Sequence, residues 1–429
     1  VIRLSVSRSG PLSGEIHVPG DKSISHRALL LGAIADGRSK ITGFLPCNDC
    51  LATLTCVRAL GIEVEKHDKT SLVVHGKGRH GLLPPKAALD CMRSGTTMRL
   101  LIGILVGQPF DSVLTGDPQL LCRPMARVIE PLVQMRAEIE TTDGHAPLTV
   151  YGRDLRGITY EMPVASAQVK SAILLAGLYA DSPTTVRQPA PTRDHTERMF
   201  SAMGAEIVTK EYSVTISSSG ISPLSISIPG DFSSAAFPLV AATIVHGSKI
   251  TLRGVGINPT RIGLLDVLSA MGAHVTAERF RNVGNEPVAD LRVQSAHLHG
   301  VEIHGDTVVR MIDEFPILAV AAAQAEGTTI VRDAAELRVK ETDRIATVAE
   351  ELTKLGAHIE PCPDGFAVQG PTPLHGAAVS SHGDHRLAMA LAVAGLVADG
   401  TTQIDDIGCV DDSFPGFIGL MRTIGGQYD

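Results

Sequence analysis

Three stretches of the sequence set cations or an amide beside hydroxyls within a few residues: Lys22-Ser23-Ile24-Ser25-His26-Arg27, Ser94-Gly95-Thr96-Thr97-Met98-Arg99 and Ser166-Ala167-Gln168-Val169-Lys170. Ammonium, guanidinium and hydroxyl groups all donate hydrogen bonds, so such stretches suit a bound carboxylate or phosphate. Further cations stand at Arg123, after the Gly-Asp-Pro turn at 116–118, and at Arg193 in Thr192-Arg193-Asp194-His195. Arg338-Val339-Lys340-Glu341-Thr342-Asp343-Arg344 and Asp384-His385-Arg386 mix cations with carboxylates. On a helix, Lys340 and Arg344 are i,i+4 neighbours and Glu341 flanks Arg344 at i,i+3. Taken alone, that run reads as a solvated charged face.

Several chemistries are excluded by spacing. Lys22-Ser23 follows Gly20-Asp21, but a phosphate-binding loop of the Walker type needs a glycine directly before the lysine and another five residues earlier. No Gly-x-Ser-x-Gly elbow occurs, so a serine hydrolase of the α/β type has no support. Cys47-x-x-Cys50 is half a metal site with no second pair to answer it, and the odd count of 7 Cys fits reduced cytosolic thiols better than zinc. No metal or cofactor is expected. The formal net charge of −8 gives no global field for nucleic acid or anionic membrane, and a chain with no Trp and 5 Tyr has little to stack on bases. Apolar runs such as 172–180 are far too short to span a bilayer. The first residues carry neither a signal-peptide core nor an Arg-rich transit pattern, so the expected location is cytoplasmic.

Elements that could position these groups emerge as a repeat. A helix end leading into a strand, written apolar–Gly–small–polar–apolar, centres on Gly61, Gly204, Gly272 and Gly356, with weaker copies at Arg136 and Gly425. These centres recur roughly every 70 residues, which divides the chain into six units. A glycine there supplies the left-handed turn out of a helix. Between the centres runs a second phrase: a polar start near Ser23, Ser94, Ser166, Asp231, Asp313 or Asp384, an apolar helix, a turn and a Thr/Ile/Val strand. The polar starts read as N-caps. Helices such as 316–325 and 387–397 are apolar nearly all round and belong in a core. N-termini of such helices favour anions. Val18-Pro19-Gly20-Asp21 is echoed by Ile228-Pro229-Gly230-Asp231, so the chain reads as two halves of three units, with crossings at the Pro-Gly pairs.

The stretches 19–30, 94–99, 165–171 and 338–344, together with Asp313-Glu314-Phe315-Pro316 and Asp384-His385-Arg386, resemble the EPSP synthase family of enolpyruvyl transferases over the whole chain. Ser-Ala-Gln-Val-Lys-Ser, Thr-Arg-Asp-His-Thr-Glu and Asp-Glu-Phe-Pro resemble its class II branch, found in bacteria. The resemblance implies a two-domain inside-out α/β barrel of six βαβαββ units around buried parallel helices, whose N-termini face an interdomain cleft. The first domain would comprise 1–20 and 230–429, and the second 21–229.

The implied reaction joins the 5-hydroxyl of shikimate 3-phosphate to C2 of phosphoenolpyruvate, with protonation at C3, and then expels phosphate and a C3 proton. By resemblance, shikimate 3-phosphate is held by Lys22, Ser23, Arg27, Ser166, Ala167, Gln168, Arg193, Asp313 and Lys340. Phosphoenolpyruvate is held by Lys22, Gly95, Arg123, Gln168, Arg344 and Arg386. Asp313, Glu341 and Lys22 would be catalytic: Asp313 as base at the 5-hydroxyl, Glu341 and Lys22 in proton traffic at C3. Asp49 would orient Arg27, Asp384 would hold the arginines, and Thr96 would support Gly95. The resemblance also implies a monomer, and glyphosate as a competitor of phosphoenolpyruvate.

This sequence departs from the better-studied branch at Asp412, where lysine is usual, at Arg93-Ser94 before Gly95, and at Leu100, where proline is usual. The alternatives are an enolpyruvyl transferase acting on UDP-N-acetylglucosamine and a non-catalytic scaffold of six units. The former normally has Lys-Asn where this chain has Lys22-Ser23, and a reactive loop cysteine; the thiol nearby here is Cys122, read as structural.

Overall fold

A helix that is apolar on every side is stable only when covered on every side. Six helices of this kind run through the computed structural model, which describes residues 2–429. They are α1 (Lys22–Ile34), α2 (Gly95–Leu105), α3 (Ala167–Gly177), α4 (Phe232–Ile244), α5 (Phe315–Ala323) and α6 (His385–Gly395). Every residue of α5 is buried. The starts are capped as side-chain chemistry dictates. Ser94, Ser166, Asp231 and Asp384 cap α2, α3, α4 and α6. Asp21 rather than Ser23 caps α1, and Glu314 occupies the cap position of α5 without a capping side-chain bond.

Around these helices, the described residues form six sheets, five of four strands and one of three. The third unit is representative: Thr159–Glu161 pairs parallel with Thr184–Arg187, which pairs antiparallel with Ser213–Ile216, itself antiparallel to Ile207–Lys210. The parallel pair brackets the buried helix and the hairpin follows an outer helix, which gives βαβαββ. All six repeat centres adopt positive φ, from +72° at Arg136 to +107° at Gly425. Arg136 does so without glycine, at an ordinary cost of about 1–2 kcal/mol.

The chain divides into two compact units: residues 1–19, 229–281 and 287–429, and residues 20–228 with 282–286. The strand pairing explains the discontinuity. Ser13–Ile16 supplies the parallel partner of Lys249–Gly256, whereas Ser225–Ser227 supplies that of Asp36–Thr42. Residues 282–286 form the tip of the His274–Gln294 hairpin and group with the second unit, a detail that the Pro-Gly echo does not carry.

Each unit has its own hydrophobic core. In the first, α4, α5 and α6 pack on one another, and in the second α2 packs on both α1 and α3. The contact of α2 with α3 is close enough that a Cβ on Gly103 would lie 2.4 Å from the carbonyl oxygen of Ala172, so only glycine fits there. Among the described residues, no helix is long and apolar enough to cross a membrane.

Candidate active site

The motif residues fall into two clusters, one on each unit. In the unit spanning 20–228, Lys22 opens α1 and its ammonium pairs with Asp49. Burial disfavours the Lys22 charge, but Asp49, with Cys47 and Cys50 adding to it, holds its pKa above the ordinary lysine value. Arg27 lies on the next turn of α1. Its Nε donates to Thr196 Oγ1 at 2.6 Å, Nη1 to the Ser23 carbonyl at 3.0 Å and Nη2 to Ser171 Oγ at 2.8 Å. Burial lowers its pKa to about 10.

These contacts correct one expectation. Asp49 orients Lys22, not Arg27. The reason is position along α1: Lys22 stands at the open end beside the start of the helix Asn48–Ala59, while Arg27 is buried one turn deeper among hydroxyls of other segments.

Gly95 and Thr96 form the first turn of α2, and Ala167 and Gln168 that of α3. Gln168 links the two helices: its Nε2 donates to Thr96 Oγ1 at 2.9 Å and its Oε1 accepts from Arg99 Nη1 at 2.9 Å. A Cβ on Gly95 would meet Arg99 Nη1 at 2.7 Å and Arg123 Nη1 at 3.2 Å, so the missing side chain leaves room for two guanidinium groups. Ser166 Oγ accepts from Val169 N at 3.4 Å. Arg193 is near enough to Arg27 to lower its pKa. The segment bearing Arg193 is tied down by Lys170, which is buried against Glu197 at 2.5 Å and donates to the Thr192 carbonyl at 3.4 Å. The sequence flags Arg99 in its motif but does not single out Ser171, Thr196 or Glu197 as site residues. Their polar types in apolar or motif context were visible, but their partners lie far along the chain.

In the other unit, the centre is Arg344, whose side chain is 1% exposed. Three carboxylates surround it. Nε donates to Asp384 Oδ2 at 2.7 Å and Nη2 to Asp384 Oδ1 at 3.2 Å, Nη2 to Glu341 Oε2 at 2.6 Å, and Nη1 to Asp313 Oδ1 at 3.5 Å. Burial opposes the charge, but these carboxylates hold Arg344 above its ordinary value. Arg344 in turn keeps Asp384 below the ordinary aspartate value, against burial that would raise it. Arg386, in the first turn of α6, reaches Asp313 at 3.6 Å and Glu314 at 3.9 Å. Burial lowers the pKa of Lys340; Asp313 opposes that and Arg344 reinforces it.

Residues 340–343 are not helical. A 3-10 turn ends at Val339, and Asp343 accepts from the N–H groups of Ile345 and Ala346, so the helix begins at Arg344. The i,i+4 relation of Lys340 to Arg344 is therefore absent, while Glu341 still meets Arg344 across the cap. Glu314 is buried, accepting from Ser233 Oγ at 2.5 Å; Ser233 also receives Arg261 Nη2 at 2.7 Å. Asp412 is buried at the end of the 3-10 turn Ile407–Asp412, and Cys122 is exposed.

Buried helices bracketed by sheets, with cations gathered at helix starts on both units, define an inside-out α/β barrel suited to polyanions. A family model described as EPSP synthase (3-phosphoshikimate 1-carboxyvinyltransferase) matches residues 6–421. Relatives named 3-phosphoshikimate 1-carboxyvinyltransferase include one from Desulforudis audaxviator, 52% identical over 98% of this chain and 99% of its own. Another, from Geobacter sulfurreducens, is 52% identical over 99% of each. A solved EPSP synthase structure from Acinetobacter baumannii matches with a TM-score of 0.89 at 44% identity, covering 100% of this chain and 99% of that one. The chain belongs to the EPSP synthase family.

Proposed function

We propose that this chain transfers the enolpyruvyl group of phosphoenolpyruvate to the 5-hydroxyl of shikimate 3-phosphate, releasing phosphate, in the shikimate route to chorismate and the aromatic amino acids. The observation that carries the reading is the Arg344 centre: a buried guanidinium shared by Asp313, Glu341 and Asp384, with Arg386 and Lys340 at its edge. It supplies, on one unit, a cationic seat for an anion and two carboxylates besides Asp384 that can move protons.

The substrates bring two carboxylates and two phosphates. Two unit charges 4 Å apart interact by about 4 kcal/mol at an effective dielectric of about 20, so reactants of like charge need fixed cations to meet. In this reading Ser23, Arg27, Ser166, Ala167, Gln168, Arg193 and Lys340 take shikimate 3-phosphate. Lys22, Gly95, Arg123, Gln168, Arg344 and Arg386 take phosphoenolpyruvate. Glyphosate, itself an anion, competes for the phosphoenolpyruvate groups.

Asp313 accepts the proton of the 5-hydroxyl as its oxygen attacks C2. Lys22, with its pKa raised by Asp49, keeps its proton and serves as a fixed cation near both substrates. Glu341 then carries the C3 proton in both directions. When the phosphoenolpyruvate carboxylate takes up Arg344, Glu341 is freed from part of its ion pair, takes a proton from solvent and delivers it to C3. Once the tetrahedral adduct has formed, the same group removes a C3 proton as the C2–O bond to phosphate breaks.

Phosphate release assayed with phosphoenolpyruvate and each acceptor separately tests the reading. Release with shikimate 3-phosphate, and none with UDP-N-acetylglucosamine, is the expected result. Release with the nucleotide sugar alone, or with neither, contradicts it.

A further inference from the structure

The mechanism gives no role to the buried carboxylate of Glu351. Glu351 lies about two turns beyond Arg344 on the helix Arg344–Lys354, with its side chain 0% exposed. Its Oε1 meets Lys354 Nζ at 2.8 Å and His382 Nε2 at 2.6 Å, and its Oε2 accepts from the Ser380 N–H at 3.0 Å. Burial pushes its pKa up, but Lys354, the Ser380 N–H and His382 hold it below the ordinary glutamate value, so it is ionised at neutral pH. Glu350, Glu351 and His382 offer ligand atoms near enough to share a metal ion, but the Lys354 ammonium already bridges both carboxylates.

Two of the three partners of Glu351 are Ser380, the last residue of the strand Ala378–Ser380, and His382, in the loop that leads from that strand into α6. That loop turns at His382, which adopts a φ of +51°, and is tightened by Asp384 N donating to the Ser381 carbonyl at 2.8 Å. It ends at Asp384, the carboxylate that grips Arg344 through two hydrogen bonds. One helix therefore holds the loop at two points: through Arg344 at its first residue, and through Glu351 two turns later. A residue such as His382 at positive φ needs its surroundings to keep it there, and Glu351 supplies one bond to the His382 ring and one to the Ser380 N–H two residues before it.

We propose that Glu351 is a positioning residue for the Arg344 centre: its bonds to Ser380 and His382 fix the loop so that Asp384 presents Arg344 for phosphoenolpyruvate. The proposal rests on the reading that Arg344 holds phosphoenolpyruvate. Glu351 is buried and ionised, so its bonds to the loop are charge-assisted. The bond it makes to the Ser380 N–H is also one that an apolar side chain cannot replace.

Steady-state kinetics with each substrate varied, on variants whose folding is checked by thermal melts, test this. Glu351→Ala is expected to raise KM for phosphoenolpyruvate about tenfold or more, the usual scale for losing hydrogen bonds to a charged group, with KM for shikimate 3-phosphate little changed. Glu351→Gln should restore most of the affinity. Its carbonyl can still accept from Ser380, and its amide can donate to the other tautomer of His382. His382→Asn tolerates the positive φ but loses the ring nitrogen, so KM for phosphoenolpyruvate should rise by a smaller factor. Lys354→Gln should leave both KM values alone. Arg344→Lys, the control for the underlying reading, should itself raise KM for phosphoenolpyruvate. If Glu351→Ala does not fold, His382→Asn decides.

An unchanged KM for phosphoenolpyruvate in folded Glu351→Ala or His382→Asn, with Arg344→Lys impaired, overturns the positioning role alone. Equal rises for both substrates also overturn it, because that pattern marks a merely structural residue. An Arg344→Lys variant with unaltered KM overturns the reading of Arg344 and the proposal with it.

Discussion

Lys22 and Arg27 stand on the same helix, yet the molecule treats them differently. Lys22 is paired with one carboxylate and keeps its charge; Arg27 is clamped by two hydroxyls and a carbonyl, and all three of its nitrogens are engaged. Lys22→Ala is expected to lower kcat/KM by about 10²-fold or more, the scale for losing a preorganised charge partner, and near-normal kinetics in a folded variant would remove Lys22 from the site. Asp313→Ala and Glu341→Gln should lower kcat more than they raise either KM, because proton transfer is felt in the transition state. A variant altered only in KM would show that its residue binds and does not move protons. The sequence makes these cations and carboxylates legible because each stands in a short motif with neighbours of fixed spacing. It does not disclose the partner of Asp49, or the hydroxyls of Ser171 and Thr196 on Arg27. Those contacts join residues up to 169 positions apart and depend on which turn of α1 faces which segment.

At the scale of elements, the cap residues were the clearest signal, since a serine or aspartate before an apolar run satisfies helix N–H groups whatever the tertiary context. The segment 338–344 was harder to place. Its charges fit a helix face, but Asp343 acts as a cap and so delays the helix to Arg344. Two expectations follow for the helix starts. Gly95→Ala sets a methyl against the guanidinium groups of Arg99 and Arg123, so these must move outward and narrow the space for a second anion. Glyphosate inhibition, expected to be competitive with phosphoenolpyruvate in the parent, should weaken in this variant while the affinity for shikimate 3-phosphate holds. Unchanged sensitivity would show that Gly95 does not line that space. Asp384, whose folded pKa is depressed, contributes stability that is complete above its ordinary value of 3.8 and fades as pH falls through the lower folded value. Urea midpoints measured through that acid range should fall more steeply with pH in the parent than in Asp384→Asn, and parallel curves would contradict the assignment.

For the molecule as a whole, six repeats of one βαβαββ pattern, one of them with a three-stranded sheet, place buried helices at equivalent positions in two units. The chemistry is not divided evenly between them. One unit carries Lys22, Arg27, Arg123 and Arg193; the other carries Arg344 with the carboxylates of Asp313, Glu341 and Asp384. Repeat counting reveals the duplication because each unit must turn the chain at the same place. Arg136 makes that turn too, with arginine at the positive φ that glycine takes at the other five centres. The grouping of 282–286 with the second unit was not legible, because a hairpin tip has no repeat partner and its allegiance depends on tertiary contacts.

The central claim is addition across the double bond of phosphoenolpyruvate followed by elimination, and the mass of the product formed in D2O tests it most directly. Protonation at C3 makes a transient methyl group from one solvent deuteron and two substrate hydrogens, so elimination leaves deuterium in the vinyl group of the product. The account predicts an enolpyruvyl ether of shikimate 3-phosphate carrying deuterium at C3, with one phosphate released per product, and formed far more slowly by Glu341→Gln. A product without deuterium, or phosphate released without an enolpyruvyl ether, would contradict it.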